Sequence, residues 1–110
     1  MEKAKHDRLK KAGWTVGTTA EFLGLTDEEA ALIEMKLALA HSLREHRDAQ
    51  HLTQEQLAKM IGSSQSRVAK MEAADSSVSM ELLVRSLLML GATREEVGRV
   101  IARDSTVPAA

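Results

Sequence analysis

Apolar positions between Thr53 and Glu72 recur at helical spacing, stop at a glycine and resume, which predicts two short helices joined by a tight turn. Thr53 is a good N-cap, Gln56 stands three residues on as its capping-box partner, and Leu57, Ala58 and Ile61 follow on one face. Gly62 can take the left-handed conformation that stops a helix, and Ser63 or Ser64 can cap the next one. Val68 and Met71 then supply one apolar face, so Gln65, Ser66, Arg67 and Lys70 are left to point elsewhere. Amides, hydroxyls and cations on one helical face are the chemistry of DNA recognition.

Before this stretch, Thr26 and Glu29 form a capping box that opens a long helix, free of glycine and proline to about Gln50. Leu32, Met35, Leu39 and Leu43 make one apolar row on it, and Ile33, Leu37 and Ala40 make a second that diverges from the first. One row can cover the helix-turn-helix. The other needs a second surface, either a partner chain or the preceding segment, where Trp14 lies between glycines and Thr18 with Glu21 opens a short helix through Phe22. After the motif, residues 73–78 read as a polar loop, and Ser79 caps a helix over 80–90 that Gly91 ends. That helix is unusually apolar. Met80, Leu83, Val84, Leu87, Leu88 and Leu90 form a broad arc with Leu82 and Met89 behind it, an excess that suggests homodimerisation, with Leu82, Val84, Leu88 and Met89 as candidate contacts. Thr93 and Glu96 cap a last helix carrying Val97, Val100 and Ile101.

Composition narrows the class. With 110 residues and only Trp14 and Phe22 as aromatics, the core must be built from Leu, Ile, Val, Ala and Met, which favours helices. We expect an all-α chain with a flexible basic arm over 1–11, one helical domain over 12–103 and a flexible tail over 104–110. The absence of cysteine rules out disulfides and thiolate metal sites, and no apolar run approaches the ~20 residues that span a bilayer, so a cytoplasmic protein with no membrane partner is expected. The net charge of −1 is uneven: acid is concentrated over 12–52, whereas 1–11 and 53–72 carry the positive balance.

Enzymatic chemistry finds little support. His41, His46 and His51 are five residues apart and rotate around a helix instead of converging, so solvated histidines are expected in place of a zinc site. There is no phosphate-binding glycine loop, dinucleotide fingerprint or glycine-flanked serine, and neither an enzyme nor a cofactor is expected. Met35, Met60, Met71, Met80 and Met89 fall in apolar stripes and read as core filler.

Leu52-Thr53-Gln54-Glu55-Gln56-Leu57-Ala58, followed by Ile61-Gly62-Ser63-Ser64-Gln65-Ser66-Arg67-Val68 and Met71-Glu72, resembles the phage-repressor-like XRE family of helix-turn-helix proteins. The resemblance implies a lambda-repressor-like bundle from about Ala31 to Leu90, here with an N-terminal extension and a C-terminal helix. It implies that the chain binds double-stranded DNA as a homodimeric transcriptional regulator, most simply a repressor on a near-palindromic operator. Gln54 resembles the glutamine that contacts phosphate and braces the recognition helix, and its loss should weaken all sites alike. Ser64, Gln65, Ser66, Arg67 and Lys70 match the surface facing the major groove, and Arg47 and Glu72 match a pair that bridges the helix ends. Gly13-Trp14-Thr15-Val16 and Phe22-Leu23-Gly24-Leu25 also resemble HigA-type antitoxins, implying a RelE-like toxin as an alternative partner. A protein-binding helical module is the remaining alternative. One departure stands out: relatives often carry Asn-Gly after the glutamate, whereas this chain has Ala73-Ala74-Asp75, so the recognition helix is expected to run past Glu72.

Overall fold

A computed structural model of the chain describes residues 24–103. The expected arm over 1–11, the tail over 104–110 and the anchors Trp14 and Phe22 lie outside the described residues. Within them the chain is helical with no strand: α1 (Asp27–Ala49), α2 (Gln54–Ile61), α3 (Gln65–Glu72), α4 (Met80–Met89) and α5 (Arg94–Ala102). The starts are set locally. Thr26, Thr53 and Thr93 all form complete capping boxes, with Glu29, Gln56 and Glu96 bonding back to the cap N–H, and Ser79 accepts from the Leu82 N–H.

The C-terminal half of α1 is the platform, packing against α3, α4 and α5, while α2 packs on α3 and α4. Leu39 and Leu43 from α1 meet Leu57, Val68, Met71, Leu83 and Leu87 in a core from which water is excluded. The two rows drawn on α1 do not divide as expected. Ala40 from the second row is buried with the first, whereas Leu32, Ile33 and Leu37 from both rows are exposed. Ala30, nearer the start of α1, is buried as well, so the division between buried and exposed positions follows neither row.

Several other sequence expectations are corrected by the packing. The polar loop after α3 contains Val78, which is buried and acts as an apolar plug between α3 and α4. Met71 fills the core as expected, but Met60 and Met89 are exposed. On α4 the buried face is Leu83, Ser86, Leu87 and the capping Leu90, while Leu88 from the expected arc faces out. Ser86 tolerates this burial because its hydroxyl donates to the Leu82 carbonyl at 2.9 Å. Helix α3 stops at Glu72 and does not run on as expected: Ala74 takes a left-handed φ of 55°, its N–H bonds to Met71 O at 3.1 Å, and the Asp75 N–H reaches back to Lys70 O at 3.0 Å.

The histidines are also distributed differently. His46 is half-buried, its Nδ1–H donating to the Ser42 carbonyl at 2.9 Å while Nε2 lies 3.8 Å from Glu96 on α5, so it helps to seat that helix. His51 is not helical and occupies the turn after α1 with φ 59°. No helix among the described residues is long and apolar enough to cross a membrane.

Candidate nucleic-acid interface

Val68 and Met71 fix the rotation of α3, since both are fully buried and point the opposite face outward. Gln65, Ser66, Arg67 and Lys70 are exposed on that outer side. At 100° per residue Ser66 and Lys70 lie centrally, with Gln65 and Arg67 on opposite flanks. Ser64 is the cap: its Oγ accepts from the Arg67 N–H at 3.2 Å, whereas the Ser63 N–H is spent on closing α2 against Ala58 O at 2.8 Å. Ser64 also lies 3.2 Å from the Ser66 hydroxyl, so the two form a small hydroxyl pair at the N-terminus of α3.

Behind this face runs a polar network. Arg47 donates through Nε and Nη2 to the two oxygens of Glu72, at 2.5 and 3.0 Å, and through Nη1 to the Leu52 carbonyl at 2.8 Å. The side chains are only 12% and 5% exposed, which makes this a buried ion pair with its hydrogen bonds satisfied. The hydrogen bond to Glu72 holds the Arg47 guanidinium above its ordinary value despite the opposing effect of burial, and the charges of Glu72 and Asp48 add to the rise. Gln54, from the first turn of α2, donates to Glu72 Oε1 at 3.1 Å and accepts from Gln65 Nε2 at 2.7 Å. The pair implied by resemblance, Arg47 with Glu72, is therefore joined directly to Gln54 and, through Gln54, to Gln65.

Chemically the outer face offers one amide edge from Gln65, two hydroxyls and two cations. No described carboxylate lies within ion-pair distance of Arg67 or Lys70, although the charge of Lys70 acts at longer range on Asp75. Ala69, four residues after Gln65 and half-buried on the same side, was missed by the sequence reading. Its spacing from Gln65 was the available signal, and a methyl there suits contact with a thymine methyl. Gln50 was missed too: its amide donates to the Leu90 carbonyl at 2.6 Å and ties the end of α1 to the end of α4. Of the residues expected at a dimer contact, Leu88 and Met89 are exposed and Leu82 and Val84 are half-buried. Around α4 they fall into two pairs, Leu82 with Met89 and Val84 with Leu88, separated by Glu81 and Arg85.

Searches among curated proteins and among solved structures gave no match. A family model described as helix-turn-helix matches residues 43–97, half of the chain, from the end of α1 through the start of α5. The matched span holds the capped α2, the Gly62 turn, the outward face of α3 and the buried pair behind it, and the chain belongs to the XRE-type helix-turn-helix family of DNA-binding transcription regulators.

Proposed function

We propose that the chain is a cytoplasmic, homodimeric repressor that inserts α3 of each subunit into the major groove of a near-palindromic operator. The single observation that supports this best is the exposed polar face of α3 tied, through the exposed Gln65–Gln54 hydrogen bond, to the part-buried Arg47–Glu72 pair, since a merely solvated helix has no need of such support. In this reading Gln65 contacts a base edge, Arg67 and Lys70 supply a guanine fork and phosphate contacts, and Ser64, Ser66 and Gln54 bind the backbone. The exposed Leu88 and Met89, with Leu82 and Val84 on their flanks, are the candidate surface for joining two copies, which would hold the recognition helices about one DNA turn (~34 Å) apart. Occupying a promoter would block polymerase with no chemistry by the protein.

A gel-shift titration with the DNA upstream of the chain's own gene tests this. A discrete complex that unrelated DNA does not compete away is expected, with log affinity falling by about 0.9 per phosphate contact for each tenfold rise in salt. Gln65→Ala and Arg67→Ala should each lose preference between the consensus and altered sites. Unchanged discrimination in both would defeat the reading.

A second reading, an antitoxin that neutralises a RelE-like toxin and controls its own operon, is favoured by the exposed Leu32, Ile33 and Leu37 on α1, an apolar surface on a different helix from α3. It requires an adjoining toxin gene whose product copurifies with the chain. An isolated gene without such a partner would count against it.

A further inference from the structure

The hydrogen bonds from Arg47 to Gln65 have a direction. Arg47 donates to both oxygens of Glu72, and a carboxylate offers acceptors only. The Gln54 group that faces Glu72 must therefore be its NH2, which turns the Gln54 carbonyl toward Gln65. Gln65 in turn has to present its own NH2 to that carbonyl. What remains for a ligand is the Gln65 carbonyl and its second N–H, in one fixed order. Reversing the Gln65 amide would set two carbonyl oxygens against each other, with no donor between them.

We propose that Glu72 is a specificity-determining positioning residue: acting through Gln54, it fixes the polarity of the Gln65 amide and hence which order of acceptor and donor is read in the major groove. The inference rests on the proposed role of Gln65 at a base edge. Adenine presents an N7 acceptor beside an N6 donor, and exchanging A·T for T·A reverses that order across the groove. A free glutamine amide can serve either order, because its terminal torsion is broad and roughly two-fold. One held by Gln54 cannot. Loss of Gln54 should therefore erase a preference as well as weaken all sites.

The test begins with the full chain and a random-sequence duplex pool, from which its preferred site is selected. The position read by Gln65 is the one where Gln65→Ala loses preference. Wild type should favour one orientation of the A·T pair there by about tenfold or more. Gln54→Leu cuts the relay but keeps the ion pair, and Glu72→Gln replaces the acceptor-only carboxylate by an amide, so an acceptor is no longer guaranteed opposite Gln54. Each should bring that ratio to within about twofold or invert it, with preferences elsewhere in the site retained. The double variant Glu72→Gln with Gln54→Glu puts a carboxylate back beside Gln65 and should restore the wild-type order, at lower overall affinity because the new charge faces phosphates. A merely structural Glu72 would lose the order in the double variant as well, and helical circular dichroism confirms that each variant is compared in its folded state. Preference lost in Gln65→Ala but kept in Gln54→Leu would overturn the relay alone, as would failure of the double variant to restore it. Preference kept in Gln65→Ala would overturn the base-contact reading and the relay with it.

Discussion

Four helices end in the same hydrogen-bonded turn, yet two of them use glycine at the left-handed position and two do not. Gly62 closes α2 with φ 70° and Gly91 closes α4 with φ 99°, while His51 closes α1 with φ 59° and Ala74 closes α3 with φ 55°. In every case the left-handed residue and its successor bond back into the last turn: His51 and Leu52 to Asp48 and Arg47, Ala74 and Asp75 to Met71 and Lys70, Gly62 and Ser63 to Lys59 and Ala58, Gly91 and Ala92 to Leu88 and Leu87. An L-residue in this conformation costs about 1–2 kcal/mol that glycine largely escapes. The two costly ends are the two that the Arg47–Glu72 pair clamps, since Arg47 also holds the Leu52 carbonyl and Glu72 stands two residues before Ala74. Glycine ends are specified by their own backbone. The other two are imposed from across the fold, and they carry the platform and the recognition helix.

Breaking the clamp should produce the largest effect. Arg47→Ala or Glu72→Ala leaves a buried charge without its partner and should cost ~3–5 kcal/mol in a denaturant titration, much of the 5–15 kcal/mol typical of a whole domain. Amide exchange should rise first at His51–Leu52 and Ala74–Asp75. A loss below about 1 kcal/mol would mean that the pair behaves as a surface ion pair and the comparison fails. Next in size, Gly62→Ala should cost about 1–2 kcal/mol, and because an added Cβ meets nothing within 4 Å the cost is purely that of the backbone. The opposite change, Ala74→Gly, should stabilise by ~0.5–1 kcal/mol, read as a higher melting temperature. A lower melting temperature would show that the strain at Ala74 is smaller than the entropy that glycine adds to the unfolded chain.

Acid provides the smallest and most local test. Side-chain and then backbone hydrogen bonds from Ser77 hold the Asp75 carboxyl below its ordinary value, with the more distant positive charge of Lys70 and Lys36 assisting. A depressed carboxylate contributes stability above its unfolded value and loses it as pH falls through the folded one, so the Ala74 end should loosen only below about pH 4. Glu96 is depressed first by the Thr93 N–H, which bonds to it in the α5 capping box, and should follow the same sign. Asp75→Asn should flatten the acid dependence of amide exchange at Ala74 while leaving that at Gly62 unaltered.

Most of the local punctuation was legible. Thr26, Thr53 and Thr93 cap as their spacing foretold, and Gly62 and Gly91 stop their helices. These are contacts over three or four residues, and the chain encodes both partners side by side. The expectation that α3 would run past Glu72 was wrong because alanine has no preference for a left-handed turn. The stop is enforced by the Schellman bonds and by the clamp on Glu72. Leu88, Met60 and Leu37 were read as apolar and are apolar, but periodicity carries no record of where neighbouring helices end. Val78 was read into a polar loop for the same reason.

The family resemblance pointed to the Arg47–Glu72 pair and to Gln54 as separate supports, and only the tertiary structure joins them to each other and to Gln65. By itself the sequence determined the five helices of the described region, their caps and the identity of the outward residues on α3, since these follow from periodicity and contacts within one turn. Packing decided the rest: which apolar residues lose their water, which non-glycine residues take left-handed backbone, and which way the Gln65 amide faces. Those outcomes depend on residues 25 positions apart, as Arg47 and Glu72 are, arriving within hydrogen-bonding distance, and a linear pattern records residue types without recording that arrival.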